Sequence, residues 1–357
     1  MQKPIDLRLN YPVLDGQDEE FTQLLRSSVA QATSFLTLDA VGGSLIDRSV
    51  AASWLSKPGY PVLPADVYVA GGGHHTCMVI LLAAKLQHKT IAVEELTYLN
   101  FIAIAKLLDI KLVPCAIDSV GIIPASLAEV CSKNKVDALY IMPTVNNPLG
   151  YVTPEGRRRE IVAVARENGL LIIEDDAYGF LDDAALPSFF ALAPERSFFI
   201  YSLSKSYGQG IKISYLLAPT TFAGSIIETL RFTNANQSPV FSWIVNKLIT
   251  SGRLGDIIKG KQQQGAIMQQ KARLLFEAYK LSGHKNGWHL WVELPNHIKS
   301  GELTERIDKA GVLISAATIF SVTGHHNNAI RIAFGAEKDF NRIIEGIEII
   351  KQQIFVS

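Results

Sequence analysis

Cysteine is scarce in this chain of 357 residues: only Cys77, Cys115 and Cys131 occur, an odd number without CxxC spacing. This argues against a disulfide framework and a zinc site, and a reducing compartment is expected. Charge of either sign is not in excess, because 34 Lys and Arg balance 34 Asp and Glu. That balance gives no handle for a nucleic-acid backbone or an anionic membrane surface. Long apolar stretches are missing as well. The longest, near 78–84, is broken by Lys85 and falls far short of the ~20 residues a membrane helix needs. The opening stretch MQKPIDLRLNYPVLDGQDEE has no apolar h-region, so no signal peptide is expected and the chain reads as cytoplasmic. The GxGxxG spacing of a dinucleotide fold is also absent, which argues against a nicotinamide-dependent dehydrogenase.

What the chain does have is apolar residues, at 48%, enough to bury a large core. Short β-rich runs at 66–71, 90–95, 111–116, 138–142, 170–175, 198–204 and 213–218 alternate with helical patterns. Pro154, read as the first residue of a helix, opens one that Gly169 ends. Continuous apolar strands separated by helices predict an α/β fold: a large domain with a mostly parallel sheet of seven strands, flanked by helices. After about residue 238 a long helical pattern (254–281) leads into strands HLWVEL, VLISAA and AIRIAF and a final helix, a smaller α+β C-terminal domain. The expected division is an N-terminal segment 1–35 packing on the small domain, a large domain 36–245 and a small domain 246–357.

Ligands of open parallel sheets bind at the carboxyl ends of the strands. The residues there are unusually polar: GGGHHT, EELTY, PTVNNPLG, EDDAYG and SLSK. Lys205 follows a buried run, where burial would lower its pKa and make it a nucleophile. Asp175 ends LLIIED and needs a cationic or protonated partner. Tyr178 adds a phenol, and Asn147 sits in a turn shaped by Pro148 and Gly150. Gly72 and Gly73 precede a helix whose first N–H groups can hold an anion, with Ser202, Ser204 and Lys212 as further contacts. Each residue also has a plainer reading. A lysine after a strand is most often solvated, glycine clusters often mark only tight turns, Tyr98 suits a core position, and Arg331 suits a surface ion pair. Glu174 and Asp176 are read as structural, His325-His326 as exposed, and Trp288, Trp291 and the Phe-rich 189–199 stretch as core.

An amine, a carboxylate, phenol and amide donors and an anion cradle are together what pyridoxal 5'-phosphate uses. The motifs resemble the fold-type-I, class I/II aminotransferase family: Asn147-Pro148-Leu149-Gly150 as N-P-x-G, 175–178 as D-x-x-Y, 202–205 as S-x-x-K, and Arg331 in IRIAF, in the family's order. The resemblance runs from about residue 43 to the C-terminus. It implies a Schiff base between Lys205 and the cofactor, with Lys205 moving the proton between substrate and cofactor. It implies Asp175 on the ring nitrogen, Asn147 and Tyr178 on the phenolic oxygen, and Tyr98 stacked on the ring. Gly72, Gly73 and His74 would offer N–H groups to the phosphate, joined by Ser202 and Lys212, and Arg331 would bind the substrate carboxylate. The reaction implied is transfer of an amino group from an α-amino acid to a 2-oxo acid, in a homodimer. The few charges near 9–12, 42–43 and after 317 favour a neutral or apolar substrate side chain.

Three positions depart from the family pattern. Lys212 stands where an arginine is usual, no tyrosine lies near Leu38 (Tyr60 and Tyr11 are the substitutes considered), and His74-His75 replaces smaller or amide side chains. The same fold also carries β-lyases, decarboxylases and biosynthetic cyclases, which these motifs do not separate from aminotransferases. The 146–181 stretch most resembles aminoadipate-type aminotransferases and the aminotransferase-like domains of certain GntR-family regulators, so a non-catalytic sensor is a further alternative. The short stretch before residue 43 and the lack of a basic patch argue against it.

Overall fold

Seven short strands form one sheet in the computed structural model, which describes residues 3–31, 35–37, 39–234 and 236–355. Across the sheet they run Val67–Ala70, Ser214–Leu217, Ser197–Ser202, Leu171–Asp175, Ala138–Ile141, Thr90–Glu94 and Lys111–Cys115. Pairing is parallel, with Leu139 opposite Ile172 and Ile173 opposite Phe198. The exception is Ser214–Leu217, antiparallel to both its neighbours. Because side chains alternate along a strand, one run feeds two cores. Tyr140 and Ile173 join the cluster under the helix Gly73–Ala83, while Leu139, Ile141 and Ile172 join Ile161 and Ala165 of the helix Glu155–Glu167. Neither face is left polar, so helices cover both.

A four-stranded antiparallel sheet follows, in the order Leu281–Ser282, His289–Glu293, Ala329–Ala333, Ser315–Ala316, with Arg331 opposite Trp291. The helices Ser300–Lys309 and Phe340–Phe355 bury Leu303, Ile307, Ile347 and Ile350 in the core shared with this sheet. Trp288, Trp291, Phe189 and Phe198 are buried, as the sequence suggests.

Several expectations need adjusting. Pro154 is the N-cap of its helix, in extended conformation, and the helix begins at Glu155. The helix expected over 254–281 is Arg253–Leu275, because Leu281 is drawn into the second sheet opposite Val292. The N-terminal segment divides. Ile5–Asp6 pairs with Val312–Leu313, whereas the helix Gln17–Gln31 packs on the helix Pro239–Thr250 beside the large sheet. Its apolar stripe is responsible: Phe21 and Leu24 join the cluster around Tyr207, Ile244 and Leu248.

Below the carboxyl edge of the large sheet lies a buried ion pair. Arg158 donates through Nη1 to Glu174 at 3.3 Å and to the Pro187 carbonyl at 3.0 Å, and through Nη2 to Thr144 at 2.7 Å. Burial pushes the Glu174 carboxyl up to about 7, against the pull of Arg158. Arg158→Ala strands the carboxylate and is expected to cost ~3–5 kcal/mol of unfolding free energy. The denaturant midpoint would show it, and adding Glu174→Gln should recover part of the loss.

Candidate active site

The carboxyl ends of the large sheet converge on one cavity. Gly72, Gly73, His74, Tyr98, Asp175, Tyr178, Ser202, Lys205 and Lys212 all line it, with Tyr11, Phe101 and Met142. The first wall is made by the strand Val67–Ala70 turning into the helix Gly73–Ala83. Gly72 caps this helix with φ +88°, a conformation that side chains disfavour. A Cβ on Gly73 would make ordinary contact with that of Ser202, 3.5 Å away, so the helix start and the Ser202 strand end adjoin here. The first intrahelical donor is Thr76, to the Gly72 carbonyl. The Gly73 and His74 amides at the helix start are therefore open to an anion. Gly72 differs from expectation: its own N–H is committed to the Ala70 carbonyl at 3.0 Å, so it shapes the cradle without donating. Ser202 Oγ pairs with Ser204 Oγ at 2.9 Å, and Lys212 lies beside Gly72, its Cα 3.8 Å from where a Cβ on that glycine would stand.

On the floor, Asp175 accepts from Tyr140 Oη at 2.8 Å and from the Ala177 amide at 3.2 Å. Tyr140 is itself fixed by stacking on Phe101, centroids 3.6 Å apart. Burial pushes the Asp175 carboxyl up, and Tyr140, the Ala177 amide and the Lys205 charge hold it back. Facing it, Lys205 sits on the short helix Leu203–Ser206 that follows the strand Ser197–Ser202. Its Nζ is buried, and it donates to the Asn10 carbonyl at 3.0 Å and lies 3.2 Å over the Tyr11 ring. Burial drives the lysine well below its ordinary pKa, with Arg331 and Lys212 acting in the same direction and Asp175 against it. Burial also raises the Tyr178 phenol. Tyr98 stacks on His74 and shares hydrogen bonds with His74 Nε2 and Asn100 Nδ2, both at 2.8 Å.

Asn147 and Arg331 lie outside that lining but meet each other. Arg331 is 4% exposed, and its Nη1 donates to Asn147 Oδ1 at 2.8 Å. Its Nη2 donates to the Arg8 carbonyl and, at 3.4 Å, to Ser315; Nε is buried and has no partner among the described residues. Asn147 thus spends its oxygen on the arginine. The preceding loop is held from below by fully buried Glu94, which accepts from the Met142 amide at 3.0 Å, Asn146 Nδ2 at 3.2 Å and Tyr151 Oη at 3.0 Å.

Sequence reasoning put residues 9–12 near the pocket but missed the main-chain contacts of this strap and several supports. Residues 8–11 cross the site, with the Arg8 and Asn10 carbonyls taken by Arg331 and Lys205. Gly335 lets them lie there: a Cβ on it would stand 2.4 Å from the Tyr11 nitrogen. Tyr11, one of two substitutes considered for a missing tyrosine, is in the cavity, whereas Tyr60 lies by Arg159 Nη2 at 3.4 Å. Leu38 lies outside the described residues. Tyr140 could be found only by knowing that its strand neighbours that of Asp175, which no spacing in the sequence states. His325 and His326 are exposed, and among the described residues no group of three or more His, Cys, Asp or Glu could hold a metal ion.

A doubly covered sheet with this second, smaller sheet is the fold of the fold-type-I aminotransferases. The pattern of the family "Aminotransferase class I and II" matches residues 11–347, and the chain belongs to that family and is an aminotransferase. It is 25% identical over 313 residues to YdeF of Bacillus subtilis, an HTH-type transcriptional regulator, covering 87% of this chain and 68% of the relative. To the 2-aminoadipate transaminase of Thermus thermophilus it is 23% identical over 312 residues, 84% of this chain and 77% of that one. Among solved structures, an archaeal alanine:glyoxylate aminotransferase superposes with TM-score 0.91 at 19% identity, over 100% of this chain and 92% of that one. The kynurenine aminotransferase of Pyrococcus horikoshii gives TM-score 0.88 at 22% identity, again over 100% and 92%. Among the described residues no helix is long and apolar enough to cross a membrane.

The surroundings of Lys205 make its proton affinity measurable. In the protein without cofactor, competitive labelling with acetic anhydride should rise with pH as the amine deprotonates. It should level off well below 10.5, the ordinary lysine value. Asp175→Asn removes the charge that favours the ammonium form and should move the midpoint lower still. A midpoint near the ordinary value would mean the amine is open to water.

Proposed function

We propose that this chain is a pyridoxal-phosphate-dependent aminotransferase acting between an α-amino acid and a 2-oxo acid, with Lys205 as its reactive amine. The observation that carries this reading is the pairing, in one cavity, of a buried amine of lowered pKa with a buried carboxylate at the neighbouring strand end. The residues suit the cofactor. The helix start at Gly73 and His74, with Ser202 and Lys212, offers donors and charge for a phosphate, and Asp175 offers a carboxylate for a protonated ring nitrogen. Pyridoxal phosphate, when bound, supplies the electron sink that stabilises a negative charge at the substrate Cα.

The protein's share is positioning and proton handling. Burial favours the neutral amine of Lys205, and its Nζ would serve as the base that takes up the Cα proton and hands it on. Asp175, held by Tyr140 and the Ala177 amide, would offer its carboxylate to the ring nitrogen. Tyr98 and Tyr178 line the cavity, where Tyr98 would cover one face of the cofactor and Tyr178 would offer its phenol. Arg331 presents a guanidinium already oriented by Asn147, ready for a planar carboxylate once the Arg8 carbonyl gives way. A division at about 35 and 245, a homodimer and a cytoplasmic location belong to the same proposal.

Similarity to an HTH-type regulator supports a second reading, a domain that binds cofactor and amino acid as a signal without turnover. One experiment separates them: visible absorption of the purified protein with pyridoxal phosphate, before and after a panel of amino acids, with Lys205→Ala alongside. Aminotransfer predicts a yellow band in the wild type that particular amino acids bleach, with pyridoxamine phosphate formed, and no such band from the variant. A band that amino acids perturb but never convert favours the sensor.

A further inference from the structure

A second lysine is buried near the site, and the reaction has no use for its amine. Lys261, on the helix Arg253–Leu275, is fully buried, and among the described residues no carboxylate pairs with it. Its Nζ donates to two main-chain oxygens, the Lys205 carbonyl at 3.1 Å and the Tyr207 carbonyl at 2.7 Å. Both belong to the turn that carries Lys205.

That turn cannot satisfy itself. The helix Leu203–Ser206 is a single turn, and the Tyr207 and Gly208 amides both go back to the Leu203 carbonyl. The carbonyls that follow point out of its C-terminal end, where a helix needs outside donors and favours positive charge. Lys261 supplies them, and Gln17 adds a second donor to the Tyr207 carbonyl at 2.7 Å. Lys261 is held in turn through its own backbone, since Trp288 Nε1 donates to its carbonyl at 2.9 Å. Trp288 immediately precedes the strand His289–Glu293 of the second sheet. A chain of contacts therefore runs from the second sheet, through Lys261, to the backbone beneath Lys205.

Burying an amine without a counter-charge is costly, and burial alone brings Lys261 down to about 7. A leucine or methionine would fill the same space without that cost, so packing does not explain the residue; the two donated hydrogen bonds do. We propose that Lys261 is a positioning residue for Lys205, a clamp that fixes the backbone of its turn and so sets where its amine stands relative to Asp175 and Arg331. This rests on Lys205 being the reactive amine.

The test uses the protein reconstituted with pyridoxal phosphate, comparing wild type, Lys261→Met, Lys261→Gln and Lys205→Ala. Methionine keeps the length and removes both donors; glutamine keeps an amide donor. Measured on each are thermal stability, the pH midpoint of the visible band, borohydride capture on the Lys205 peptide by mass spectrometry, and kcat and KM for a reactive amino acid. For Lys261→Met, at a temperature where it is fully folded, a shifted midpoint, slower capture and a kcat lower by about tenfold to a hundredfold are expected, the scale of a misplaced catalytic group. KM should change far less, and Lys261→Gln should recover part of each loss. A lowered melting temperature with unchanged midpoint, capture and kcat would overturn the clamp and leave Lys261 as structural support. If the methionine variant does not fold, wild-type values in Lys261→Gln for all three would overturn it equally. A band that persists in Lys205→Ala, with capture on another lysine, would instead show that the reading of Lys205 had failed.

Discussion

Everything in this site depends on removing one amine and one carboxylate from water at the carboxyl edge of a parallel sheet. Lys205 and Asp175 are both buried, and each would be costly there alone. The fold meets that cost with fixed dipoles. Tyr140 and the Ala177 amide hold the carboxylate, and the Asn10 carbonyl and the Tyr11 ring hold the amine. Because these partners are themselves locked, Tyr140 on Phe101 and Asn10 on His289, the pair keeps its separation without solvent.

The second sheet is tied to this pair at several points. Arg331, on Ala329–Ala333, reaches the Asn147 loop. His289 joins Asn10 to the Asn146 carbonyl, and Trp288 fixes the helix that carries Lys261. The strap at 8–11 lies between the two sheets and engages both Arg331 and Lys205 through main-chain oxygens. A substrate amino acid brings a carboxylate, which Arg331 would meet in place of the Arg8 carbonyl. Its binding is therefore an exchange of partners, in which the strap's weaker carbonyl dipoles yield to a full negative charge.

Much of this was legible in the residues. Strand positions followed from apolar runs between helical patterns, and Asp175, Tyr178, Ser202 and Lys205 stood out because polar groups follow buried strands directly. Other features were hidden for identifiable reasons. Tyr140 looks like any core aromatic until strand order sets it beside Asp175. Gly72 reads as an amide donor until the turn commits its N–H to Ala70. The helix Gln17–Gln31 carries an amphipathic stripe, yet nothing local says that the surface it meets lies on the large sheet's side.

The sequence by itself determined the elements and the chemistry available to them, because periodicity, caps and side-chain type act over a few neighbouring residues. It determined that a lysine, an aspartate, a tyrosine and a glycine-led helix would stand at strand ends. Only the tertiary structure decided which distant groups complete them. The Arg8 and Asn10 carbonyls lie 323 and 195 residues from their partners in Arg331 and Lys205. Lys261 reaches the Lys205 turn from 56 residues away. Main-chain carbonyls are chemically alike at every position, so no residue type marks the ones that a folded chain will bring against a buried cation.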